Sequence, residues 1–422
     1  MAEKRKSDKV YPIFAKRTKP NTQDEDPNNI IDSATSDKLL LQFQQLLDFS
    51  SVEREDEISA RLDRIARALL HEFRLVVKPP SRTTKAGNPG PQLEDLEFQI
   101  LEAEFYLRLE GCHEDPFTHG SEEQKVSGHW YFHRAAKFSK DSHRSLTSTT
   151  EYRDGSRKGM DLTFGGPLPA VGSNSSSSSS NDTGSTSVQA PLRLGGILLR
   201  TIREVKSKKI ISGPSLLVDR ILAASGAPGI RELVHDQDKW AGNISAFKFF
   251  STAGSNSDSG SSTQTTSLYL KPIKTRNDSD EASNDTIYFS PRIGLELSHP
   301  GITSATTLPL HPRIRFLPKR YRFFSRPHLL TVNGRPQTFL GVLQSCIASD
   351  PNGLQKPGLS RDIARLTGIK ESTAAKYLAD YMSGRDAGAE LLNSVIGPQG
   401  KGASSSPATY LKMMGAISAL DL

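Results

Sequence analysis

The segment from Leu96 to Leu107, LEFQILEAEFYL, constrains the fold of this chain more than any other stretch. Its second half alternates with the period of two that a strand imposes. Glu102, Glu104 and Tyr106 therefore share one face, and Leu101, Ala103, Phe105 and Leu107 share the other. A strand with an apolar back and an acidic, aromatic front packs a core on one side and can carry chemistry on the other. Downstream come His119 and the cluster His129-Trp130-Tyr131-Phe132-His133. A carboxylate on a partly dry, ring-walled strand can hold and orient a water for attack, which makes Glu104 the candidate general base. Tyr106, His119, Tyr131 and His133 are the candidate walls. A ring face attracts positive charge by about 0.5 to 2 kcal/mol, so such walls suit a flat, electron-poor or cationic ligand such as an extruded nucleobase. The ordinary alternative is a half-buried strand whose glutamates face water.

The remaining chain supplies context. Of 422 residues only 35% are hydrophobic, and mean hydropathy is -0.47, so much of the length lies outside any core. The net charge of +7 favours an anionic partner over a neutral one. Two cysteines, Cys112 and Cys346, exclude a disulfide framework and point to a reducing compartment. No apolar run follows the N-terminal charges, and none approaches the roughly 18 residues of a membrane span, so neither a secretory signal nor a membrane association is expected. Lys4-Arg5 and Lys16-Arg17-Thr18-Lys19 are spaced like a bipartite nuclear address. The expected location is the nucleus, with the cytoplasm as alternative.

Residues 1–33 are charged and poor in large apolar groups, and are expected to be a disordered basic tail. Leu39, Leu40, Phe43, Leu46 and Leu47, then Ile58, Leu62, Ile65, Leu69 and Phe73, recur at helical spacing and predict two amphipathic helices, the second running into a strand at Arg74 to Val77. Further strands are predicted around GGILLRTI, Ile197 to Ile202, and from Arg313 to Phe324. A helix is predicted from Pro214 to Ala224, because proline suits a first helical turn. Low-complexity insertions at about 171–189 and 251–286 interrupt a domain spanning 34–330, and a helical segment occupies 331–422. The fold class is α/β of the α+β type: a largely antiparallel mixed sheet, curved and flanked by helices, with a small C-terminal helical element.

Two stretches suggest nucleic acid. Arg313, Arg315, Lys319, Arg320, Arg322 and Arg326 alternate with Ile314, Phe316, Tyr321, Phe323 and Phe324, a footprint for phosphates or simply a charged sheet edge. In SRDIARLTGIKESTAAKYLADY, residues 360–381, Ala364 permits close helix approach and Gly368 suits a tight turn, as in a helix-turn-helix or an ordinary helical hairpin. Cys112, His113, His119, His129 and His133 offer a rival reading as metal ligands. Their spacing is loose and Pro116, Gly120 and Gly128 break the region into loops, so no metal and no cofactor is expected.

Taken in order, ARALLHEFRLVVK, LEAEFYL, EDPFTHG, HWYFHR, GGILLRTI, ISGPSLLVDRIL, SPRIGL and KRYRFF resemble the alkyladenine (methylpurine) DNA glycosylase family over about residues 66–326. The resemblance implies hydrolysis of the bond between sugar and an alkylated or deaminated purine, without metal or covalent intermediate, after the base is extruded from the duplex at a cost of a few kcal/mol. It places Glu104 as the water-activating acid, Tyr106 and His119 in the base pocket, and Arg200 at the end of a neighbouring strand. Tyr131 and His133 lie where the family has a tyrosine-rich strand. The chain departs from the pattern at three points: Lys158 stands where the family wedges a tyrosine into the minor groove, His133 replaces a tyrosine, and Phe105 fills a position that is usually small. A lysine cannot fill a base-sized hole as a ring does. The expected partner is double-stranded DNA with a damaged base, with RNA left open, bound by a monomer. The alternative is a non-catalytic nucleic-acid-binding protein on the same scaffold.

Overall fold

The computed structural model describes residues 32–79, 94–137, 147–169, 191–248, 267–273, 286–350 and 352–420. The basic tail up to residue 31, the whole of the first insertion and most of the second lie outside them. Asp32 and Ser33 already belong to the folded part, and the second insertion contains a strand.

Helix α1 (Ser33–Leu47) starts where the Asp32 carboxylate accepts the Thr35 N–H at 2.9 Å, and it buries Leu40, Phe43 and Leu47 at the expected spacing. Helix α2 (Glu55–Arg67) has Glu55, Asp56 and Glu57 in its first turn and Arg64 and Arg67 in its last, complementing the helix dipole. It buries Ile58, Leu62 and Ile65 and passes through a π-helical turn at Ala68–Glu72 into β1 (Phe73–Val77). There follow β2 (Leu96–Leu109), β3 (His113–Glu114), β4 (Trp130–Phe132), β5 (Arg134–Lys137), β6 (Thr147–Tyr152), β7 (Met160–Thr163), β8 (Arg193–Glu204) and β9 (Ile210–Ser212). Then come α3 (Pro214–Ala224), α4 (Ile230–His235), β10 (Leu268–Pro272), β11 (Tyr288–Ser290), α5 (Pro312–Phe316) and β12 (Arg322–Phe324). The chain closes with α6 (Arg335–Ala348), α7 (Leu359–Thr367), α8 (Glu371–Asn393) and α9 (Pro407–Ser418).

Among the described residues ten strands form one sheet with a path β10-β1-β2-β8-β7-β4, and every pairing is antiparallel. The fold class is therefore a mixed α/β architecture with a large antiparallel sheet and a C-terminal helical region, as the sequence predicts. Strand β2 is its axis: β8 runs along one edge, while β1 and β12 share the other end to end. One sheet face, with Ala103, Phe105, Leu107, Ile197, Leu199 and Leu162, packs with α1, α2 and α3 into a first core. Burying a side chain the size of Phe105 contributes about 1.5 to 3 kcal/mol. A second core joins Leu101, Tyr288 and Phe324 to the C-terminal helices through Phe339, Leu343, Ile363, Tyr377 and Tyr410.

Leu101 thus lies with the acids and not behind them, which corrects the simple alternation. The register of β2 against β8 pairs Ile100 with Ile202, Glu102 with Thr201, and Ala103 with Leu199. Leu101 is an extra residue on one strand and Arg200 an extra residue on the other, so two bulges offset each other and the register resumes at Ala103 and Leu199. A bulge re-aims side chains. Here it sets Leu101 beside Glu102, and Arg200 beside Thr201, on the polar face.

The predicted strand from Arg313 to Phe324 is also corrected. Pro312 opens the short helix α5, where its fixed φ and missing N–H fit the first turn, and His311 Nδ1 accepts the Arg313 N–H at 3.2 Å. Only Arg322–Phe324 is strand. The basic residues of this stretch do not form one stripe.

Candidate active site

The sheet register assembles the site. Glu104 pairs with Leu198, Leu198 with Asp161, and Asp161 with Tyr131, while Tyr106 pairs with Gly196 and Gly196 with Thr163 in the next row. Directly opposed residues of an antiparallel sheet point to the same side. Glu104 and Tyr106 on β2, Asp161 on β7 and Tyr131 on β4 therefore share the face opposite the first core.

Glu104 is fully buried. Its Oε1 accepts the Ile293 N–H at 2.7 Å, and its Oε2 accepts the Tyr106 hydroxyl at 2.9 Å and Arg200 Nη1 at 3.3 Å. Those three donors occupy three of about four acceptor positions of a carboxylate. Burial, and then the neighbouring Glu104 charge, push the Tyr106 phenol well above its ordinary range, so it stays a donor to Glu104. Arg200 also reaches Glu102 Oε1 with Nε at 3.2 Å, and Arg322 Nε reaches the same oxygen at 2.7 Å. Burial alone would raise the Glu102 carboxyl, but Arg322, Arg200 and the Thr201 hydroxyl at 2.5 Å hold it below the usual carboxylate range. Two acids and two guanidinium groups thus balance in a buried layer, the condition under which buried charge is tolerated.

Beside this layer Arg292 donates from Nη1 to Asp115 Oδ2 at 2.5 Å and to the Phe105 carbonyl at 3.0 Å, and its guanidinium lies 4.5 Å from the centre of the Tyr106 ring. Its buried Nε meets no acceptor among the described residues. Across the sheet, His133 Nε2 is 2.8 Å from Asp161 Oδ1. The His119 ring stands edge-on to His133 at 4.7 Å, and Tyr131 lies 5.9 Å from His133. Burial, reinforced by His133, lowers His119 to about 3, so it is neutral at physiological pH. Burial pushes the Tyr131 phenol up to about 12. A Cβ on Gly196 would stand 2.2 Å from Asp161 Oδ2 and 2.8 Å from Gln124 Nε2, so only glycine leaves room for the Asp161 carboxylate here.

The expected site residues Glu104, Tyr106, Tyr131, His133 and Arg200 therefore lie on one face, with His119 against His133. The expected nucleic-acid contacts fare differently. Arg322 is fully buried and tied to Glu102, Ser290 and Thr338, which removes it from any phosphate surface. Its place directly opposite Glu104 in the β2–β12 ladder is what draws it inward. Arg313 is half-buried over the Phe117 ring at 4.7 Å, and Lys319 pairs with Glu55 at 2.5 Å. Arg315 and Arg320 are exposed, and Arg326 is half-buried. Lys158 does not project as a wedge: its Nζ is 2.5 Å from Asp219 Oδ1, with 13% of the side chain exposed.

Sequence reasoning missed Glu102, Asp161, Asp115 and Arg292 as members of the cluster. Glu102 had a signal in its shared face with Glu104. Asp161, in GMDLTF, offered only an acid on a short apolar strand, and its partner His133 is 28 residues away. Of the rival metal set, His113 is held by the Leu107 carbonyl at 3.0 Å and the Tyr321 hydroxyl at 2.8 Å. No group of three histidine, cysteine or acidic residues able to hold a metal ion comes together among the described residues. No helix among them is long and apolar enough to cross a membrane.

No protein-family profile matches the chain, and no solved structure matches it. An uncharacterized protein of Acanthamoeba polyphaga mimivirus is 28% identical over 200 residues, which is 47% of this chain and 69% of that protein.

Proposed function

We propose that this chain hydrolyses the N-glycosidic bond of a damaged purine in DNA, in the manner of the alkyladenine glycosylases it resembles. The observation that carries this reading is that Glu104, Tyr106, Tyr131, His133 and Arg200 share one sheet face, with His119 against His133. Glu104 activates the water through its remaining acceptor position, while Arg200, the Ile293 N–H and Tyr106 fix the carboxylate. The neutral His119 and the rings of Tyr106 and Tyr131 receive an extruded base without placing a full positive charge against an alkylated, cationic one. Nuclear DNA is the proposed partner, and RNA is the alternative. The test is release of free base from duplexes containing hypoxanthine, ethenoadenine or a methylated purine. Release is expected, falling at least about 100-fold in Glu104→Gln, the lower end of what a general base contributes. No release from any of the three, or release undiminished in the variant, overturns the reading.

One observation favours a second reading. Glu104 is wholly buried and two of its three bonds tie β2 to Arg200 on β8 and to the backbone after β11, as a structural brace would. On that reading the protein binds nucleic acid without cutting it. Glu104→Gln then lowers stability and leaves salt-dependent binding to undamaged duplex unchanged, with no base released by either form.

A further inference from the structure

The C-terminal helices carry a surface that the candidate active site does not use. Helix α7 ends at Thr367, three residues make the turn, and α8 begins at Glu371. Gly368 takes the left-handed conformation, φ +72°, that such a tight turn demands, and its N–H closes α7 on the Ala364 carbonyl at 2.9 Å. Ile363 and Thr367 on α7, and Ala374, Tyr377 and Tyr381 on α8, are buried, so the pair is held in one fixed arrangement on α6. The outer face at the start of α8 shows Ser372, Ala375, Lys376 and Ala379, all exposed. Small and polar side chains along an exposed helix let its backbone approach a partner closely.

Exposed cations flank that face: Arg361 and Arg365 on α7, and Lys370 in the turn. Residues 356–380 hold five cations (Lys356, Arg361, Arg365, Lys370, Lys376) against three acids (Asp362, Glu371, Asp380). The pairs Lys356–Asp362 at 2.9 Å, Lys376–Asp380 at 3.0 Å and Arg361–Glu371 at 3.7 Å leave an excess of two cations, and the exposed Arg361–Glu371 pair is held weakly. An ordinary helical hairpin has no need of a thin, small-residue face rimmed by positive charge. The charge calls for an anionic polymer, and a single narrow helix face fits a groove about 12 Å wide.

We infer that α7 and α8 form a helix-turn-helix that seats the start of α8 in the major groove of undamaged double-stranded DNA. This does not rest on base hydrolysis, because it uses a separate surface and undamaged duplex. The test is fluorescence anisotropy of the full chain with a short undamaged duplex across a salt series. The triple variant Arg361→Glu, Arg365→Glu and Lys370→Glu should bind at least about tenfold more weakly, with a salt slope shallower by about 0.9 for each phosphate that is no longer neutralised. Ala375→Glu, on the groove face itself, should weaken binding in the same direction, and guanine N7 should be protected from methylation in the complex. All these positions are exposed, so unchanged circular dichroism is expected of every variant. Undiminished binding by the triple variant, or tighter binding to single-stranded nucleic acid than to duplex, overturns the inference.

Discussion

Glu102 shows how a buried charge makes stability depend on pH in this molecule. In the unfolded chain it titrates at its ordinary value of 4.5, whereas in the fold Arg322, Arg200 and Thr201 hold its carboxyl lower despite burial. A carboxyl depressed by folding contributes stability that is fully present above the unfolded value and is lost as pH falls through the folded one. Glu102→Gln keeps the shape but leaves two guanidinium groups short of a countercharge. At pH 7 it is expected to cost about 3 kcal/mol, the scale for breaking a buried pair from one side. The gap to the parent protein should narrow as pH drops below 4.5, because the parent then loses the same charge. Urea midpoints at neutral and acid pH measure this directly. A gap that stays constant would mean that the acid contributes shape and hydrogen bonds but no charge. The same residue marks what could be read in advance: alternation in LEAEFYL places Glu102 with Glu104, but nothing local announces that arginines 98 and 220 residues away would meet it.

Elements built on local signals were legible, and those set by distant contacts were not. Helix α3 spans Pro214–Ala224 as its opening Ser-Gly-Pro predicts, and β2 and β8 follow from their apolar runs. The paired bulges in β2 and β8 left no trace, since an extra residue changes register only relative to a partner strand. Proline decided the stretch after His311, where it turned a predicted strand into α5. The crossing of α8 and α9 is another case that composition does not announce. A Cβ on Gly384 would stand 1.9 Å from the Lys412 carbonyl oxygen, and one on Gly415 would stand 2.0 Å from that of Tyr381. Neither contact is with a flexible side chain, so the helices themselves must separate. Gly384→Ala and Gly415→Ala are each expected to destabilise by about 1 to 3 kcal/mol, the usual cost of overpacking, although alanine is the better helix former. Thermal melts of the two variants check this, and a gain in stability would show that the helices have room to part.

At the scale of the whole molecule, β2 belongs to both hydrophobic cores, so the segments on either side of the boundary expected near residue 330 are expected to hold together. Ala103 and Phe105 enter the core under α1 and α2, while Leu101 enters the core with α6 and α9. Arg322 adds a polar tie, donating from Nη2 to Thr338 Oγ1 at 2.9 Å while Nε holds Glu102. Cutting after residue 330 would strip the cover from Leu101, Tyr288 and Phe324 and leave Arg322 one acceptor short, a combination of exposed apolar surface and unsatisfied charge that a marginally stable fold does not survive. The two cores should therefore unfold as one unit. Both tryptophans of the chain, Trp130 and Trp240, report on the first core, and Tyr410→Trp places a third reporter in the second. With fluorine-labelled tryptophan, the three native resonances are expected to vanish at one urea concentration. If the resonance at 410 disappears first while those at 130 and 240 persist, the C-terminal helices are a separate domain resting on the sheet, and the shared strand does not couple them.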